Sequence, residues 1–190
     1  MDDDADKSCM VRLRHGDDLA LNELMQRWKE PVVSFCLRYT GNQTDAQEIA
    51  QETFVKVYKS RNRYTVSEAA FSTWLFSIAR NLCRMRHRWK KRHPEILDTD
   101  SEFLDSEHAG ETKNDPASEV DRKALARDLD RASQQLPHDL RSTFILAQLQ
   151  GKTHSEIALI ENTTVKAIER RLARAKEKLR SILKPRWSEV

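Results

Sequence analysis

An all-α fold of two small helical domains joined by an acidic linker is predicted by three observations. Only four glycines and five prolines occur in 190 residues, and no stretch alternates apolar and polar residues between hairpin turns, which disfavours sheets. Apolar residues recur at three- and four-residue steps along most of the chain, the period of a helix buried along one face. The pattern lapses between residues 94 and 117. From Glu95 to Asp121 ten residues are Asp or Glu against the single Lys113, and few large apolar side chains interrupt them. Such a segment buries too little surface to offset its ordering entropy and reads as a flexible linker. The expected units are therefore residues 1–93, the linker 94–117, and residues 118–190.

Composition narrows the classes. Apolar residues make up 38% and charged residues 33%, which suits two modest helical cores better than one large one. No run reaches the eighteen or so apolar residues of a membrane span, and the N-terminus is acidic where a secretory signal is basic. A cytoplasmic protein with no membrane insertion is expected. Cys9, Cys36 and Cys83 are odd in number and widely spaced, so neither a disulfide framework nor a metal site is indicated, and no cofactor is expected. The net charge of +3 conceals two basic segments flanking the acidic one.

After a short acidic tail, Leu21, Leu24, Trp28, Val32, Phe35 and Tyr39 mark a buried helical face, with Pro31 expected to kink or divide it. Gly41 and Asn42 supply a turn, and Thr44 with Gln47 reads as a capping box opening the next helix. That helix turns Ile49, Ala50, Phe54, Val57 and Tyr58 inward and leaves Asp45, Glu48, Gln51 and Glu52 on an exposed face. A polar loop is expected from about Ser60 to Ala69. The third helix carries Phe71, Trp74, Leu75, Ile78, Ala79 and Leu82 on one side and Ser77, Arg80, Asn81, Arg84 and Arg88 on the other. It ends in a cluster where six of the nine residues from Arg84 to Arg92 are Lys or Arg, with Trp89 among them.

Helical pattern resumes after Asp115-Pro116 and breaks at Leu136-Pro137. A helix with Leu140, Phe144 and Ala147 inward closes at Gly151, and Thr153 with Glu156 forms a capping box for a short helix. A turn at Glu161-Asn162-Thr163 follows, in which Asn162 tolerates positive φ. Thr164 then caps a long helix with the stripe Val165, Ile168, Leu172, Ala175 and Leu179.

A short helix, a three-residue turn and a longer basic helix form a helix-turn-helix, whose second helix fits a major groove. Lys166, Glu169, Arg170, Ala173 and Arg174 project away from its apolar stripe, toward base edges and phosphates. Lys176, Lys178, Arg180, Lys184 and Arg186 extend the charge for phosphate contacts. In the first domain Phe71, Trp74, Arg80, Asn81 and Arg84 combine aromatic, amide and cationic groups, which suits single-stranded DNA: stacking returns about 1–3 kcal/mol per base. Phe71 and Trp74 read alternatively as core, the simpler reading for Trp74, whereas Asn81 and Arg84 lie on the polar stripe.

In this order and spacing the residues resemble the extracytoplasmic-function sigma factors, over nearly the whole chain. Asp45-Ala46-Gln47-Glu48-Ile49-Ala50-Gln51-Glu52-Thr53-Phe54 is similar to that family's polymerase-binding helix, and Phe71-Ser72-Thr73-Trp74-Leu75-Phe76-Ser77-Ile78-Ala79-Arg80-Asn81 to its promoter-melting helix. Leu136-Pro137, Arg141, Glu156-Ile157-Ala158 and Arg171-Leu172-Ala173-Arg174-Ala175-Lys176 resemble its upstream-element reader. The resemblance implies that Asp45, Glu48, Gln51 and Glu52 dock on the coiled coil of the largest subunit of core RNA polymerase. It implies that the loop with Arg61, Asn62 and Tyr64, together with Phe71 and Asn81, captures melted minus-ten bases of the non-template strand while Arg80, Arg84 and Arg88 track its backbone. It implies that Thr164, Lys166, Glu169, Arg170, Ala173 and Arg174 read the minus-thirty-five duplex, that the acidic linker threads toward the active-site cleft, and that an anti-sigma factor supplies regulation, the chain ending soon after Trp187.

One departure touches specificity. Many relatives carry Gly-Thr-Val-Arg/Lys early in the reading helix, where this chain has Lys166-Ala167-Ile168-Glu169; an acid there accepts from a cytosine amino group or repels phosphate, so the preferred upstream sequence does not transfer. Two other classes are weaker. A helix-turn-helix repressor explains only the last third of the chain, and a metal nuclease lacks any His or Cys spacing to complete a site. No catalytic residue is expected.

Overall fold

The computed structural model describes residues 3–65, 69–94 and 116–187, with side chains from 125 to 184 in the last stretch. Among the described residues eight helices follow one another: α1 (Asp3–Arg14), α2 (Leu19–Thr40), α3 (Gln43–Lys59), α4 (Phe71–Arg92), α5 (Pro116–Gln134), α6 (His138–Gln148), α7 (His154–Glu161) and α8 (Val165–Trp187), with a 3-10 turn at Arg61–Arg63. No strand occurs among the described residues, and the all-α expectation holds. The acidic linker falls almost wholly on 95–115, outside the described residues.

Three local expectations are corrected. The acidic tail is helix α1: Asp3, Asp4 and Asp6 occupy its first turn and Arg12 and Arg14 its last, complementing the helix dipole, while Cys9, Met10 and Leu13 are buried. Asp6 accepts a hydrogen bond from Trp28 Nε1 at 2.9 Å. Asp3 Oδ1 accepts the Phe71 amide at 3.1 Å, so an acid from α1 caps α4, whose own N-cap Ala70 has no side-chain oxygen. Helix α2 runs through Pro31 undivided, because Leu24, Trp28, Val32, Phe35, Cys36 and Tyr39 are buried on both sides of it. Each large side chain gains roughly 1.5–3 kcal/mol on burial, which together exceeds the cost of about 3 kcal/mol for an interior proline. Helix α3 is capped by Asn42 rather than Thr44: Gly41 at φ 70° ends α2, leaves Asn42 extended, and Asn42 Oδ1 accepts the Asp45 amide at 2.8 Å.

The first four helices close on an aromatic centre. Trp28 meets Phe71 and Phe76 edge-on with centroids 6.2 Å apart, and Phe35 meets Phe76 at 5.5 Å. In the second half, α7 opens with the capping box read from the sequence: Thr153 Oγ1 accepts the Glu156 amide at 3.2 Å, and Glu156 Oε2 accepts the Thr153 amide at 2.8 Å. Asn162 takes φ 50°, the only non-glycine residue with positive φ among the described residues, and the Ala167 amide donates to Thr164 Oγ1 at 3.2 Å. Ile168, Leu172, Ala175 and Leu179 are buried; Val165, expected on that stripe, is exposed at the helix start.

The two halves are not held apart. Ile145, Leu146, Ile157, Ala158, Ile160, Ile168 and Leu172 belong to the same apolar cluster as the α1–α4 core, while Ala132, Leu136, Leu140, Phe144, Ala175 and Leu179 form a second cluster of their own. Polar contacts line the seam. Arg141 donates to the Tyr39 carbonyl at 2.8 Å, Arg38 pairs with Asp130 at 3.2 Å, Lys152 Nζ donates to Ser72 Oγ at 2.5 Å, and the Gln134 amide donates to the Arg38 carbonyl.

Candidate nucleic-acid and polymerase interfaces

Helix α8 presents a clean basic face. Thr164, Lys166, Glu169, Arg170, Ala173 and Arg174 are all exposed, and no carboxylate among the described residues lies within ion-pair distance of Lys166, Arg170 or Arg174. The face is fixed locally, since the capping box, the left-handed Asn162 and the 3- and 4-residue apolar spacing set its rotation about the helix axis. Arg171 points the other way. Its guanidinium pairs with Glu161, whose side chain is fully buried and also accepts from Ser142 Oγ at 2.5 Å and Thr143 Oγ1 at 3.1 Å.

The polar stripe of α4 is divided by the packing of the halves. Asn81 and Arg88 are exposed and Arg84 is half-buried. Arg80 is only 6% exposed and faces Glu161 across the seam at 3.8 Å. Burial pushes its guanidinium pKa down. In this conformation Arg80 is a seam residue and not an exposed member of the stripe. The loop before α4 is divided likewise. Asn62 is exposed, and Arg61 lies half-buried over the Tyr58 ring at 4.3 Å and donates to the Tyr58 carbonyl. Tyr64 and Phe71, both expected at the captured bases, are buried at 3% and 0%. Tyr64 packs on Trp74 at 5.2 Å and Phe71 at 6.1 Å, and burial pushes its hydroxyl up to about 12. Trp74, half-buried at the edge of the same group, is core as expected.

On α3, Glu48, Gln51 and Glu52 are exposed, but Asp45 is not. It is covered by two members of the α4 basic cluster: Arg86 Nη1 at 2.7 Å and Lys90 Nζ at 2.6 Å, with Arg86 Nη2 also on Glu48 at 2.6 Å. Asp45 is thus a buried anchor rather than part of an open acidic face. Carboxylates three residues apart on α3 and cations four apart on α4 meet across the helix pair; this complementarity is present in the sequence, but only the tertiary pairing shows it. An apolar groove of about 630 Å³ between α2 and α3, walled by Met25, Val33, Leu37, Ala50 and Phe54 with Gln47 and Gln51 at its lip, was not anticipated. Among the described residues no group of His, Cys, Asp and Glu is arranged to hold a metal, and no helix is long and apolar enough to cross a membrane. Cys9, Cys36 and Cys83 are free thiols, all buried.

The sigma-70 region 2 pattern matches residues 24–93 and the sigma-70 region 4 pattern residues 126–179. The ECF RNA polymerase sigma-E factor of Haemophilus influenzae is 30% identical over 183 residues, covering 95% of this chain and 96% of that protein. The RNA polymerase sigma-H factor of Pseudomonas aeruginosa is 27% identical over 183 residues, covering 95% and 94%. Among solved structures, CnrH in complex with the cytosolic domain of CnrY superposes with TM-score 0.69 at 22% identity over 95% of this chain and 98% of that one. The sigma factor RpoE of Bartonella quintana, in complex with the anti-sigma factor NepR, gives 0.63 at 22% identity over 86% and 96%.

A region 2 bundle and a region 4 helix-turn-helix together define a transcription initiation factor, not an enzyme. The chain belongs to the extracytoplasmic-function sigma factors of bacterial RNA polymerase. It binds the core polymerase and promoter DNA and directs initiation to specific promoters.

Proposed function

We propose that the described conformation is a closed state, and that the chain works by opening it: α8 then reads the minus-thirty-five duplex while α4 and its preceding loop hold melted minus-ten bases. Arg80 carries this reading. A cation on the DNA-facing stripe of α4 is buried against Glu161, at the turn of the helix-turn-helix. Dimensions support it. A compact chain of this length has a radius of gyration of roughly 16 Å and is about 40 Å across. The two promoter elements, about 25 base pairs apart, are separated by roughly 85 Å of B-form DNA. One closed body does not reach both.

In the open state Arg170 and Arg174 would contact base edges, Lys166 and Thr164 the flanking phosphates, and Glu169 and Ala173 would shape which base is accepted. Asn81, Arg84, Arg88 and the released Arg80 would follow the melted strand, with Arg61 and Asn62 at the loop. Tyr64 and Phe71 would act indirectly, by fixing that loop on the core. Polymerase would dock on Glu48, Gln51 and Glu52 and the adjoining α2–α3 groove, an apolar floor with a polar lip, with Asp45 holding α3 on α4 beneath. One similar structure is the sigma factor RpoE bound by the anti-sigma factor NepR, and another is CnrH bound by the cytosolic domain of CnrY; by analogy an anti-sigma factor would hold this chain inactive, in the cytoplasm where polymerase works.

Paired variants test the assignments. Arg170→Ala with Arg174→Ala should weaken binding to minus-thirty-five DNA and leave affinity for core polymerase unchanged. Glu48→Lys with Glu52→Lys should do the reverse, because those acids face a protein surface. Equal loss of both functions in either variant would contradict the division of labour.

A further inference from the structure

Behind Arg80 the seam opens into a cleft of about 420 Å³, with Arg80, Arg84, His87 and Arg88 of α4 on one wall and His138 and Arg171 on the other. Its charge is unbalanced. Four guanidiniums share two carboxylates, Asp139 and Glu161, and Glu161 is already occupied by Ser142, Thr143 and Arg171. Arg80 is left at 3.8 Å, beyond hydrogen-bond reach of that carboxylate, and its buried Nε has no hydrogen-bond partner. Arg84 and Arg88 have no carboxylate within ion-pair distance among the described residues. The His87 and His138 rings meet across the seam with centroids 3.4 Å apart and planes tilted by 38°, and the buried His138 Nδ1 is likewise without a partner.

Buried donors without acceptors are costly, and a guanidinium fork fits phosphate oxygens two at a time. A cleft of this volume is the size of a small-ligand pocket and far too narrow for a duplex. We propose that the cleft binds a compact oligophosphate of the diphosphate class, bridging the α4 arginines to the α6–α8 wall. Because both halves contribute, the ligand binds the closed state and not the open one. At a concentration 100 times its Kd it would raise the closed-to-open ratio about 100-fold. The same arginines serve the melted strand once the halves part, so anion and promoter compete for them. The inference rests on the closed state and not on which residue reads which base.

Calorimetric titration of the full chain in metal-free buffer tests it, with inorganic pyrophosphate, a nucleoside diphosphate and sulfate as probes. Pyrophosphate is expected to bind with one site per chain, at least tenfold tighter than sulfate. The Arg84→Ala, Arg88→Ala double variant should lose at least tenfold, while Arg170→Ala, Arg174→Ala, on the far face of α8, should bind as the parent does. A nucleoside diphosphate binding more tightly than pyrophosphate supports the same site with a nucleotide as its source; weaker binding supports the inorganic anion. Saturating pyrophosphate should also raise the thermal unfolding midpoint of the parent chain, with no such rise in the Arg84→Ala, Arg88→Ala variant. No saturable binding, equal binding of sulfate, or equal loss in both double variants would overturn the proposal.

Discussion

Helices α4 and α8 are both long, amphipathic and rich in arginine, yet they expose their charge differently. On α8 the arginines away from the stripe, Arg170 and Arg174, stand in water. On α4 the corresponding stripe loses Arg80 to the seam, and the basic cluster loses Arg86 and Lys90 to Asp45. The difference lies in what sets each face. A capping box, a left-handed asparagine and an apolar period orient α8 within a span of about thirty residues. The face of α4 is decided by partners 41 and 81 positions distant in the chain, Asp45 for Arg86 and Glu161 for Arg80. Basic charge on a helix marks a nucleic-acid surface only when nothing else in the fold claims it.

That contrast is sharpened first at Glu161. Replacing it by alanine strands Arg80 and Arg171 against a buried site, and removing one partner of a buried charge pair costs about 3–5 kcal/mol. Denaturant unfolding should show a loss of that size, and an unchanged midpoint would mean that the seam is not held there. Smaller effects belong to the α8 face. Arg170→Ala and Arg174→Ala should each cost about 1–3 kcal/mol of base discrimination if bidentate, or lower the salt slope of duplex binding by about one if the contact is to phosphate. Thr153→Ala removes the α7 cap and should cost about 1 kcal/mol of stability, measurable in the same unfolding experiment.

The seam should also depend on pH. Burial, then His87 and Arg141, push His138 from 6.5 down to about 4, with Asp139 opposing; burial also lowers His87, together with Arg141 and Lys91. Tyr39, Arg80, Arg84, Arg88, Glu161 and Arg171 line the cleft with them, and Asp45, Cys83, Arg86 and Lys90 lie on their other side. The closed state therefore binds fewer protons than the open one. Its stability is complete above about 6.5 and falls as pH drops toward about 4. Small-angle scattering should show the radius of gyration rising over that window, and His138→Phe should flatten the rise.

Local features were legible before any coordinates. The all-α class, the α7 capping box, the positive φ at Asn162, the cap at Thr164 and the exposed α8 residues all depend on neighbours within one or two turns. Helix α1 is legible too: three acids at its start, basic residues at its end, and Cys9, Met10 and Leu13 at helical spacing carry the signal. Asp45 and Arg80 were not legible as buried residues, nor was Tyr64 in its polar loop, whereas Phe71 already stood on the apolar side of α4. A polar residue on a predicted stripe shows which way it points, but not what packs against it. The shared core between the halves was hidden for the same reason, since Ile157 and Ile168 satisfy a helix-turn-helix on its own as well as a seam.

Distance measurement between spin labels at Met85 on α4 and Lys178 on α8, both exposed, tests the closed-to-open claim most directly. In the free chain the separation should stay within the roughly 40 Å of a compact body. With core polymerase and promoter DNA it should lengthen by tens of ångströms toward the roughly 85 Å between the promoter elements. A separation that remains at its free value in the initiating complex would contradict the opening of the seam.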